Sequence, residues 1–338
     1  MTNAEQMAPL GVAEETNESA IEEIQQALSA LDQLPGLAWS RIREADRRGQ
    51  NANPRNENRH LLALLAEQAE VCIDELQAHR GFAYLPQSVA LRGIVHLLKD
   101  WRRDPSLADS ISSFENAAAF RHGMVALAYA ENARQNGWMV RWAPLTGLRN
   151  PPDLYLVDPR NGEIITVEVK SPEPFGGLLQ PVSPAMARKG VEQAWDSALQ
   201  GRRRQLPQDK ESILVTGGPS LPFESLDVIR TAAKELLEAR GGNRLSPLSR
   251  GASRPYLHSI AVLTTWTARS GPPLQQVGTR LQGSATIRFA VGCKYALNRS
   301  YAGRLRPPLL DSPEVLAKER EGGHRSVGWP DREAPSKQ

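Results

Sequence analysis

The sequence predicts an α/β protein, a mixed central sheet flanked by helices and preceded by an all-helical amino-terminal module. Three observations carry that expectation. Up to about residue 105 every apolar pattern repeats at helical spacing. From residue 138 onward short runs of Val, Ile, Leu and Tyr alternate with helical stretches, as in a layered sheet. Between them, residues 152–170 read as a hairpin with one apolar face and one charged face.

In order, residues 1–17 are polar and unpatterned and are expected to be disordered. Ile21, Ile24, Leu28 and Leu31 then predict a helix that Pro35-Gly36 ends, and a second short helix covers 37–48. Leu61, Leu65, Cys72 and Leu76 mark a long helix near 57–79, and Ile94, Leu97, Leu98 and Trp101 another near 86–103. These helices define a module over 18–105, and an α/β domain is expected over 106–306. In the module His60, His79 and His96 stand out, with His96 read as a core or boundary side chain rather than a ligand. The domain opens with a helix from about 109 to Gln135, stopped by Asn136-Gly137, and a strand over 138–143. Further helices are expected at 185–204 and 222–239, and strands at 212–216, 259–265 and 286–291. From 307 to 338 the chain is rich in Pro, Gly and charge, which predicts a flexible tail.

The hairpin joins 152–158 to 163–170 through Pro159-Arg160-Asn161-Gly162. With those four residues as the loop, facing positions sum to 321, so Asp153 stands opposite Glu168, with Cβ atoms roughly 5 Å apart. Alternation puts Asp153, Glu168 and Lys170 on one face and Leu154, Leu156, Ile165, Val167 and Val169 on the other. Carboxylates this close repel unless a cation lies between them, and a hard divalent ion with oxygen ligands suits the pair. Mg²⁺, or Mn²⁺, would take an oxygen from each acid and the Val169 carbonyl. Lys170 would orient or deprotonate a metal-bound water, or neutralise charge growing on a phosphorus centre. A surface hairpin with an exposed Glu/Lys face is the alternative reading.

Pro152-Asp153, fourteen intervening residues and Glu168-Val169-Lys170 resemble the PD-(D/E)XK motif of the restriction-endonuclease-like nuclease superfamily. The resemblance covers the motif and the order of elements over roughly 110–295. It implies a restriction-endonuclease-like core, catalysis by Asp153, Glu168 and Lys170, and a Mg²⁺-dependent endonuclease that hydrolyses DNA. It also implies two supporting residues. A Glu on the first helix points to Glu115, and a Gln on the helix after the motif points to Gln193. Some members have Tyr four residues beyond that Gln, where this chain has Ser197. Cutting both strands would commonly call for a homodimer.

The net charge of +3 is unevenly spread. Residues 1–35 carry seven acids and no Lys or Arg, whereas 241–306 carry ten Lys and Arg and no acid. A basic stretch of that kind suits a polyanion. Arg244, Arg250 and Arg254, with Lys189 on the 185–204 helix, are the expected nucleic-acid contacts, for DNA in preference to RNA. No apolar run approaches the roughly 20 residues needed to cross a bilayer, and no secretory signal opens the chain, so no membrane partner is expected. The two cysteines, Cys72 and Cys293, lie far apart, as expected of a reduced cytoplasmic protein. Alternative readings are a catalytically inactive nucleic-acid-binding component of a defence or repair complex, and a protein-interaction component whose helical third is the working part.

Overall fold

The periodic leucines and alanines of the first hundred residues form four helices: α1 (Asn17–Asp32), α2 (Trp39–Ala52), α3 (Leu61–Gln77) and α4 (Leu85–Trp101). The computed structural model describes most of residues 17–297. Segments including 53–58, 79–84, 108–111, 144–150, 177–179, 200–204, 207–211, 243–256 and 269–274 lie outside that description, as do 1–16 and 298–338. The expected disorder of 1–17, all but its last residue, and the expected flexible tail therefore fall outside the described residues.

His60, at the start of α3, has a structural task. Its Nδ1 accepts from the Leu62 amide at 3.3 Å, and its Nε2 donates to the Phe114 carbonyl at 2.8 Å. Burial holds its pKa below the usual histidine value, which suits a neutral ring with the proton on Nε2. Asp46 accepts from the His60 amide and from Arg59, tying α2 to the start of α3. His96 is half exposed and lies 3.7 Å from Asp100, a boundary residue.

The helix expected from about 109 splits in two. A 3₁₀ turn covers Ser112–Glu115, and α5 runs over Ala117–Gln135. Asn116 makes the break, because its Oδ1 accepts from the amides of Ala118 and Ala119 and so caps the new helix. Gly137, with φ of 85°, turns the chain out of α5 into the sheet.

Strands β1 (Met139–Trp142), β2 (Leu154–Val157) and β3 (Ile164–Lys170) form an antiparallel meander. The β2–β3 pairs, Leu154 with Val167 through Val157 with Ile164, all sum to 321, the register expected from the four-residue loop. Helix α6 (Pro184–Leu199) crosses over so that β4 (Ser212–Ser220) lies parallel to β3. Helix α7 (Phe223–Leu236) leads to β5 (Leu257–Ala268), parallel to β4. Two short strands, β6 (Gln275–Val277) and β7 (Arg280–Gln282), pair with each other. Strand β8 (Ile287–Arg288) pairs with the end of β5. The strand expected at 286–291 is realised mostly later, as β9 (Gly292–Leu297), which runs antiparallel along β5. The main sheet is therefore mixed, in the order β1-β2-β3-β4-β5, with β8 and β9 on β5.

Each face of the sheet has its own core. One contains Trp142, Leu154, Leu156, Ile165, Val167 and Val169 and runs without a break into α5 and α1–α4. The other joins Leu214, Ile260 and Val262 to Ala194, Trp195 and Leu199 of α6 and Leu226 and Ile229 of α7. Phe175, in a 3₁₀ turn after β3, anchors the Pro/Gly-rich connection against this second core. The Phe175 carbonyl oxygen lies 1.9 Å from where a Cβ on Gly218 would sit, so only glycine fits at that point of β4. Among the described residues no helix is long and apolar enough to cross a membrane. Cys72 and Cys293 are not joined in a disulfide.

Candidate active site

The antiparallel register carries Asp153 to a position beside Glu168, one step beyond the last β2–β3 pair. The Asp153 amide donates to the Val167 carbonyl at 3.2 Å, and since Val167 is already the partner of Leu154, the ladder shifts by one residue as it ends here. The face that bears the acids is not open to solvent, because α6 and Leu206 pack on the same side of β3 and β4. Glu168 is 0 % exposed, whereas the Asp153 and Lys170 side chains keep 22 % and 19 % exposure. The site is a notch with Glu168 at its floor.

Five side chains meet there. Lys170 Nζ donates to Glu168 Oε1 and, at 2.6 Å, to Gln205 Oε1. Gln205 Nε2 donates to the Pro151 carbonyl at 3.3 Å, so one amide links the ammonium to the start of the hairpin. Asp153 Oδ2 accepts from the Val169 amide at 2.7 Å, and Asp153 Oδ1 lies 3.0 Å from His122 Nε2. Glu168 Oε2 is buried without a hydrogen-bond partner, as is the hydroxyl of Thr216, which pairs with Lys170 in the β3–β4 register.

These surroundings separate the two acids electrostatically. Burial, reinforced by the negative charge of Asp153, pushes the Glu168 carboxyl up to about 8 despite the Lys170 ammonium. Burial also works to raise Asp153. The His122 bond and charge, the Val169 amide and Lys170 outweigh it and hold that carboxyl below its ordinary value.

No family model, curated protein or solved structure matches this chain.

Among the described residues no group of three or more His, Cys, Asp or Glu side chains is arranged to hold a metal ion. The donor chemistry nevertheless fits a hard divalent cation. A fully buried carboxylate oxygen without a donor, adjoining a second acid, lacks the positive partner that such an ion supplies. Val169 contributes its amide to Asp153, which sets the acid's orientation.

The supporting residues differ from those expected. Glu115 lies outside the notch, in the 3₁₀ turn before α5, and pairs with Arg41 of α2 at 3.2 Å. The cap at Asn116 starts α5 after Glu115, and the helical residue that reaches Asp153 is His122. Gln193 is exposed on α6 and makes no bond to the acids or Lys170 among the described residues. Gln205, beyond the end of α6, makes that contact. Lys189 is likewise exposed on α6, and the neighbouring Arg188 pairs with Glu235. Arg244, Arg250 and Arg254 lie outside the described residues. His122 had one usable signal, a lone imidazole within the mostly apolar first half of its helix; Gln205, in an unpatterned basic stretch, had none.

Proposed function

We propose that this protein is a metal-dependent phosphodiesterase that hydrolyses DNA, with a restriction-endonuclease-like core of the PD-(D/E)XK type. The observation that carries the reading is the Asp153–Glu168–Lys170 cluster at the end of the β2–β3 pair, with one buried Glu168 oxygen left unbonded. The helix, three-strand meander, helix and parallel strand from α5 to β4 support it, since that is the element order the motif implies.

Asp153 and Glu168 would hold Mg²⁺ or Mn²⁺, with the Val169 carbonyl as a further oxygen, and His122 beside Asp153 orients that acid. When bound, the ion supplies charge stabilisation for an attacked phosphate. Glu168 must give up its proton to act as a ligand through Oε2, and its Oε1 can keep the bond to Lys170. Lys170, held by Glu168 and Gln205, keeps its ammonium at the notch to hold a phosphate oxygen or exchange a proton. The basic stretch at 241–306 would add sequence-independent backbone contacts.

A second reading has its own support. Three of the four carboxylate oxygens are already bonded within the chain, as suits a nucleic-acid-binding protein that keeps the site but not the chemistry. One experiment separates the two. Purified protein is incubated with supercoiled plasmid, linear duplex, single strand and RNA in Mg²⁺, Mn²⁺ or EDTA. Cleavage of DNA only with a metal supports the enzyme, and salt-sensitive binding without cleavage under either metal supports the second reading.

A further inference from the structure

The notch continues along the sheet into a strip toward the β1 edge. Among the described residues, helix α6 packs on β3 and β4 and no helix packs extensively on the same face of β1 and β2. The ladder arranges this strip in rows. Arg141 pairs with Tyr155 and Tyr155 with Thr166, directly beside the Asp153–Glu168 row. Met139 pairs with Val157 and Val157 with Ile164, one row farther out; Met139 and Ile164 are 47 % and 52 % exposed, whereas Val157 between them and Thr166 in the inner row are buried. Arg141 is exposed and makes no ion pair among the described residues; Tyr155 is half-buried.

We propose that this strip, with Tyr155 and Arg141 at its centre, seats a single strand of nucleic acid and leads it to the acids. The inference rests on the phosphodiesterase reading and adds the strandedness of its substrate. Successive rows are about 6.6–6.8 Å apart, so the Tyr155–Arg141 row lies one short step from Asp153. A ring and a guanidinium side by side match one nucleotide, with the ring under a base and the cation at a phosphate. The positive charge is complementary to a polyanion, and the apolar row beyond would meet the next base. A duplex is not the fitted occupant, because its bases stay stacked on one another and cannot lie on the ring.

The test is binding in EDTA, where the reaction does not run, by fluorescence anisotropy of labelled oligo(dT) and of a DNA hairpin duplex of equal length. The single strand should bind at least about tenfold more tightly, and Tyr155→Leu should remove about tenfold of that affinity. Arg141→Gln, an exposed change that spares the fold, should reduce the log–log salt slope for the single strand by about 0.7. Equal binding of duplex and single strand would overturn the proposal, as would oligo(dT) affinity and salt slope unchanged in both variants. A parallel digest in Mg²⁺ keeps the two ideas apart. Cleavage without these binding effects leaves the phosphodiesterase standing and removes the strand seat. Binding that depends on Tyr155 and Arg141 without cleavage keeps the seat and removes the reaction.

Discussion

Glu131 near the end of α5 and Glu168 in β3 are both buried acids, 2 % and 0 % exposed, and their surroundings differ in kind. Glu131 is fully provided for. Its Oε2 accepts from Trp101 Nε1 at 3.1 Å and from Arg134 Nε at 2.9 Å, and its Oε1 accepts from Arg134 Nη2 at 2.5 Å. It ties α4 to α5, and the Arg134 guanidinium offsets its charge. Glu168 has one donor, a bare second oxygen and another acid as neighbour. Glu131, which holds the fold, is given all its partners; under the proposed function Glu168 is left short of them so that a bound ion completes the set.

Four measurements would break or sharpen that contrast. The largest effect is on cleavage. Asp153→Ala, Glu168→Ala and Lys170→Ala should each lower the rate in Mg²⁺ by about a thousandfold or more, and non-additively, because the three act as one unit. Glu131→Ala should leave the rate per folded molecule unchanged. A Glu168 variant that cuts DNA at the wild-type rate would remove the distinction.

Stability should respond the other way. Urea unfolding of Glu131→Ala should show a loss of about 2–3 kcal/mol, since the substitution strands the Trp101 N–H and breaks a buried pair, discounted because the Arg134 side chain is 41 % exposed. Metal-free Glu168→Ala should be no less stable than wild type at pH 8.5, where the native acid is ionised beside Asp153.

The third measurement is the pH dependence of metal-free stability. Glu168 has its folded pKa raised to about 8, above the ordinary carboxyl value it regains on unfolding. Between those values the folded protein holds the extra proton, so the contribution is complete at low pH and is lost as pH rises toward 8. The melting temperature should fall over that interval. Glu168→Gln should flatten the fall, and an unchanged slope would show that Glu168 does not carry it. The smallest effect expected is for Gln205→Ala, about tenfold in cleavage rate with little change in stability, because Lys170 keeps Glu168 but loses its second anchor.

The sequence alone determined the hairpin, its register and its two faces. A four-residue loop leaves little choice of pairing, and alternation then commits each side chain to a face. Asp153, Glu168 and Lys170 were legible for that reason, as were the helices whose apolar spacing is strong. The tertiary structure decided what surrounds them. His122 reaches Asp153 across 31 positions and Gln205 reaches Lys170 across 35. Neither separation has a period that could be read along the chain. Glu115 and Gln193 sit at plausible places on their helices, but a helix can present any side to a sheet, and the packing of Phe120 and Met124, or of Ala194 and Trp195, settles which. The same holds for Glu131, a charged residue near the end of α5 that is nevertheless buried. Trp101 arrives from another helix, and an acid becomes a core residue only when a remote donor meets it. Local geometry set the pair of acids; the docking of α4, α5 and the chain beyond α6 chose their neighbours.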